Sequence, residues 1–111
     1  MINELRIGNY VYEKFYKSIV ITQIDLDDMA GLREIFLYKK PLPFSPIPIT
    51  QNILFDLGFD LRFNYFRRDN ITIVFCPSSK VIFNGLILSH IDSVHKLQNL
   101  YYDSYNKELT L

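Results

Sequence analysis

The sequence predicts a small α+β domain, and three observations carry that prediction. Runs of β-branched and aromatic residues crowd the first forty positions, four prolines then fall within eight residues, and the last quarter repeats apolar side chains at helical spacing. Gly8-Asn9 supplies a tight turn, after which "NYVYEKFY" (Asn9 to Tyr16) and "SIVITQI" (Ser18 to Ile24) read as strands. "DLDDMAG" (Asp25 to Gly31) is turn material, and "REIFLYKK" (Arg33 to Lys40) completes a strand meander over residues 1–40. The prolines at 41–49 form an extended connector, because proline removes a backbone donor and biases its predecessor away from helix.

A short helix follows the connector. Thr50 is a good N-cap, Ile49 and Leu54 sit at staple spacing, and Gly58 can take a left-handed exit. Ile53, Leu54 and Leu57 form its apolar stripe, with Phe55 or Phe59 as the anchor on a sheet. "DLRFNYF" (Asp60 to Phe66) then alternates, placing Leu61, Phe63 and Tyr65 on one face, and "RRDN" (Arg67 to Asn70) reads as a hairpin turn. "ITIVFC" (Ile71 to Cys76) is apolar on both faces, as a central strand should be. "VIFNGLILSHI" (Val81 to Ile91) gives a further strand, kinked at Asn84-Gly85. Asp92 or Ser93 caps a last helix whose apolar face holds Val94, Leu97, Leu100, Tyr101 and Tyr105, and Asn106 ends it. The tail "ELTL" alternates like an edge strand. Residues 50–111 thus read as an αβββα unit within a single domain of 111 residues.

Composition narrows the function classes. At 49% hydrophobic residues the chain has material for a genuine core. Twelve basic and twelve acidic residues cancel, which disfavours nucleic acid as a general partner. The start "MINELRIGNYVY" lacks the pattern of a secretory leader, and no apolar run is long enough to span a membrane. With a single cysteine, these features predict a cytoplasmic protein. Eight tyrosines and nine phenylalanines are the anomaly, since each tyrosine hydroxyl needs a partner or water.

Three stretches in fixed order, "ELRIGNYVY", "IPITQNILFDLGF" and "VHKLQNLYYDSYNKELTL", resemble a family of short uncharacterised proteins encoded in gut-bacterial genomes, phages and prophages. The family pattern has "IPLTEEWLLKFGF" in the middle and "VHQLQNLYFALTGEEL" at the end; this chain departs from it at "SYNKEL", where Asn106 replaces a helix-terminating glycine. The resemblance implies phage or prophage origin and no established activity or site residues. The strand-rich opening after "RIG" is similar to the start of a small SH3-like barrel, a likeness of fold alone.

No candidate catalytic, cofactor or metal site emerges. Asp25 and Asp27 have calcium-loop spacing, but Met29, Ala30 and Phe36 stand where ligands and the glycine belong. His90 and His95 lie five residues apart, off a common helical face. Cys76 sits in an apolar strand, and Ser78 and Ser79 lack a nucleophile-elbow context. Two surfaces remain. His95, Gln98, Asn99 and Tyr102 form a polar patch on the last helix, beside Tyr101 and Tyr105; amides in such a place also commonly bond neighbouring backbone. Arg67 and Arg68, behind Tyr65 and Phe66, offer a small cationic hairpin suited to phosphate and base stacking. The expectation is a non-enzymatic protein-interaction module, partnered by another protein or by itself and acting through tyrosines, with a nucleic-acid-binding accessory protein as the alternative.

Overall fold

The computed structural model describes residues 5–15, 18–38, 43–75 and 78–111, with the backbone alone at Phe15, Ser18, Phe36 and Tyr38. Tyr16, Cys76 and Pro77 lie outside the described residues. Among the described residues, three helices and two antiparallel sheets give the expected α+β class. The chain divides into two compact units, Met1–Ile47 and Pro48–Leu111.

The first unit begins with a β-turn in which the Asn9 amide donates to the Arg6 carbonyl over 3.1 Å. Its third residue, Gly8, has φ 98°, the position that a type II turn reserves for glycine. Asn9 is fully buried and its Oδ1 accepts from the Arg6 amide at 2.8 Å, while the Gly8 amide and the Asn9 carbonyl bond across to Ile24. Strands β1 (Tyr10–Phe15) and β2 (Ser18–Gln23) pair antiparallel as the sequence predicts. A two-residue strand β3 (Phe44–Ser45) joins the other side of β1, giving the order β2-β1-β3.

Between β2 and β3 the sequence reading fails. Leu26–Tyr38 is a helix, α1, where a turn and a third meander strand were expected. The cause is a reciprocal cap: the Asp28 amide donates to Asp25 Oδ1 at 2.8 Å and the Asp25 amide donates to Asp28 Oδ2 at 3.0 Å. "DLDDMAG" is therefore a helix start, with Asp27 and Asp28 in the favourable first turn. Leu32 is buried with Leu5, Val11 and Ile24, and Met29, Ile35 and Phe44 pack against that cluster. Met29, Leu32 and Ile35 stand three apart, a helical stripe hidden inside a β-rich composition. An SH3-like barrel is not found among the described residues.

The second unit opens as predicted. Thr50 Oγ1 accepts from the Ile53 amide at 3.3 Å, starting helix α2 (Gln51–Asp56). At the other end Phe59 N donates to Leu54 O at 2.9 Å and Gly58 N donates to Phe55 O at 3.0 Å. With Gly58 at φ 85°, this is a Schellman motif, and its partners Leu54 and Phe59 are both buried. Phe59 is the anchor; Phe55 stays 51% exposed, touching Phe66 edge-on at 5.1 Å between ring centroids.

Among the described residues five strands follow rather than three: β4 (Asp60–Arg62), β5 (Tyr65–Arg68), β6 (Ile71–Val74), β7 (Lys80–Phe83) and β8 (Leu86–Ile87), hydrogen-bonded in that order. Two turns were missed. Phe63-Asn64 breaks the expected alternation of Leu61, Phe63 and Tyr65, joining Arg62 directly to Tyr65. Asn84 and Gly85 have φ 51° and 81°, a type I′ hairpin rather than a kink. The expected turn at Arg67–Asn70 shrinks to Asp69-Asn70, leaving both arginines in β5. β6 is central, as expected, and its Ile71 and Ile73 are fully buried.

Phe66, Ile73 and Val81 lie side by side across the sheet, all buried. Above the adjoining row, which holds Arg68, Ile71 and Phe83, runs helix α3 (Val94–Tyr105). Its Tyr105 ring meets Phe83 and its Tyr101 ring lies under the Arg68 guanidinium. Ser93 is the N-cap residue and Asn106, left-handed at φ 54°, ends the helix as predicted. Each buried Leu or Ile here removes enough apolar surface to contribute about 1.5–3 kcal/mol. The "ELTL" tail forms no strand; Leu109 is fully buried and its carbonyl accepts from Gln98 Nε2 at 3.0 Å.

Candidate binding site

The polar patch read on α3 is mostly interior. His95 and Gln98 are fully buried, with Ser93 Oγ 3.2 Å from His95 Nδ1 and the Gln98 amide spent on Leu109. The reason is geometric: Val94, Leu97 and Tyr101 set a buried stripe whose centre passes between positions 97 and 98, so Gln98 belongs inside it. Asn99 is half-buried, and Tyr102 is exposed at 40%. The buried amide thus follows the backbone-bonding reading rather than that of a recognition surface.

Tyr101 and Tyr105 are drawn instead toward β5. Tyr101 is buried, and its hydroxyl donates to Asp69 Oδ2 at 2.5 Å. The Asn70 amide donates to the Tyr105 hydroxyl at 3.0 Å, and the two tyrosine rings lie 4.9 Å apart. Burial pushes the Tyr101 phenol above its ordinary range; the Asp69 bond pushes the same way and the nearby Arg68 opposes. These tyrosines secure the β5–β6 turn to the helix.

Arg68 completes the joint. Its Nη1 donates to the Leu57 carbonyl at the C-terminal end of α2, and its guanidinium carbon stands 5.0 Å from the Tyr101 ring centroid. A cation there complements the helix end and the ring face together. Gly58 makes room for it, since a Cβ at that position would come 2.6 Å from Arg68 Nη1. Arg68 therefore does not sit at a hairpin tip with Arg67, as the sequence suggested. Arg67 is exposed, its Nε donating to the Asp69 carbonyl at 3.0 Å, and Tyr65 is half-buried on the same strand face.

Arg62, Arg67, Arg68 and Lys107 nonetheless converge on one open cleft of about 480 Å³, together with Asp60, Asp69 and Tyr101. Asp60 and Arg67 are direct cross-strand partners. The sequence reading missed Arg62 and Lys107, because only the Phe63-Asn64 turn and the left-handed Asn106 bring them alongside β5. An Asn after a bulky residue in "RFNY" was the available signal.

A second surface lies along β4 and its hairpin. Leu61 is the cross-strand partner of Phe66, which Phe55 also touches, and both Leu61 and Phe55 are 51% exposed. At the hairpin tip Phe63 is 99% exposed and holds φ 47°. β4 is an edge strand of the sheet. Among the described residues no group of three metal-ligating side chains occurs, and no helix is long and apolar enough to cross a membrane. Comparison with protein-family models, with curated proteins and with solved structures finds no match to the chain.

Proposed function

We propose that the protein is a non-enzymatic interaction module whose working surface is the β4 edge with Phe63 at its tip. Phe63 carries the reading. A phenylalanine in the left-handed region costs about 1–2 kcal/mol relative to ordinary backbone, and one that is 99% exposed recovers nothing by burial. Folding alone favours Asn or Gly there, so the aromatic ring stands at a cost to stability and is placed for a contact. Leu61 and Phe55 extend the apolar surface along an edge strand, the setting in which extended segments of a partner add to a sheet. Of the tyrosines expected to make the working surface, Tyr101 is buried, Tyr105 is half-buried against the β5–β6 turn, and Tyr102 is exposed. The resemblance to phage- and prophage-encoded proteins supports an accessory role, as a virion component or an inhibitor of a host protein.

The test compares wild type with Phe63→Asn, immobilised against native-host lysate and run alone by analytical ultracentrifugation. Wild type retains a partner or self-associates, and the variant loses this while remaining folded. Equal retention and equal oligomeric state in both proteins would sink the reading.

A further inference from the structure

We propose that the cleft between β5 and the end of α3 binds a doubly charged phosphate group, a phosphate monoester or free phosphate. It rests on different residues from the partner surface above, since neither Phe63, Leu61 nor Phe55 lines the cleft.

Charge placement is the first support. Between residues 48 and 111 the basic residues Arg62, Arg67, Arg68, Lys80, Lys96 and Lys107 equal the acidic ones in number, yet four of the six line this cleft. Only Asp60 and Asp69 oppose them, leaving a formal excess of two positive charges on a protein of zero net charge. Such crowding costs self-repulsion in the folded state, and a dianion relieves it in full where a monoanion does so in part.

The donors fit the same ligand. Three of the four cations are arginines, whose planar forks pair with phosphate oxygens two at a time. Arg68 is held by Leu57 and Tyr101, so its charge is pre-placed at the cleft floor. Neither Arg62 nor Lys107 meets a carboxylate within ion-pair distance among the described residues, and both are exposed enough to close on a ligand. Apart from Tyr101, every residue lining the cleft is charged. A lipid tail or a buried nucleobase finds no apolar wall, whereas a compact oxyanion finds donors.

The experiment titrates the full chain with inorganic phosphate, pyrophosphate, and single-stranded oligothymidylate with and without a 5′-phosphate. The readouts are calorimetry and the NMR signals of Tyr101 and the arginine Nε–H groups. Saturable phosphate and pyrophosphate binding is expected, weakened about tenfold by Arg62→Ala and by Lys107→Ala and unchanged by Arg33→Ala. All three altered residues are exposed, so each variant is expected to keep its fold, which thermal melting checks. A preference for the 5′-phosphorylated oligonucleotide over both phosphate and the unphosphorylated strand assigns the group to a nucleic-acid end. Phosphate binding with no gain from either oligonucleotide assigns it to a small molecule. Equal binding of both oligonucleotides without a response to phosphate overturns the proposal in favour of backbone contact. No saturable binding, or an equal loss in Arg33→Ala, overturns it outright.

Discussion

Replacing Gly58 by alanine tests how the second unit is joined. The new Cβ would lie 2.6 Å from Arg68 Nη1 and 3.4 Å from its guanidinium carbon, at a backbone φ of 85°. The close atom is the tip of a flexible side chain, so the guanidinium swings away rather than the backbone. What is lost is then the charged hydrogen bond to Leu57 O and the seat over Tyr101. Arg68 is half-exposed, so solvent screening holds that loss to about 1–2 kcal/mol. The left-handed alanine adds about 1–2 kcal/mol, for a total of roughly 2–4 kcal/mol. At this chain length that lowers Tm by about 8–16 °C. Urea denaturation of Gly58→Ala, Arg68→Ala and the double variant separates the two parts. In the Arg68→Ala background the glycine substitution costs only its backbone share, giving a coupling of about 1–2 kcal/mol. Additive losses, with coupling under about 0.5 kcal/mol, would refute the clamp.

Other outcomes follow from the same contacts. The folded protein holds the Tyr101 proton more tightly than the unfolded chain, whose reference value is 10.0. That stabilisation is complete below this pH and is lost as pH rises through the higher folded value, so urea midpoints fall on the alkaline side and Tyr101→Phe flattens the fall. Gln98→Ala strands the buried Leu109 carbonyl, costing about 1–3 kcal/mol and speeding amide exchange in residues 107–111. Phe63→Asn raises stability by about 0.5–1 kcal/mol while it removes binding; a lower urea midpoint contradicts the strain assigned to that turn.

Several features were legible in the sequence because a local rule and the tertiary structure agree. Thr50, Gly58 and Asn106 each cap a helix as their residue types predict, and Ile71–Val74 is central as its two-sided apolarity required. α1 was hidden because Asp25 and Asp28 form a capping box from turn-like residues, and its exposed Leu26 and Leu37 blur the helical stripe. Asn84-Gly85 is the strongest two-residue turn signal, but the long apolar run around it disguises the hairpin as a kinked strand. The candidate site was half visible. Arg67, Arg68 and Tyr101 were singled out, but for different surfaces, since only the folded chain shows them lining one cleft. Alternation puts Phe63 on one face with Leu61 and Tyr65, and nothing in periodicity marks a residue whose backbone turns left-handed.

The double employment of Arg68 bears on how related chains should be compared. An arginine that closes a helix and seats a ring survives selection for folding even after any ligand has been abandoned. Its persistence in a divergent descendant therefore says little about whether the anion is still recognised. Arg62 and Lys107 have no such second job, and their joint presence or loss is the better genetic marker of the cleft at work.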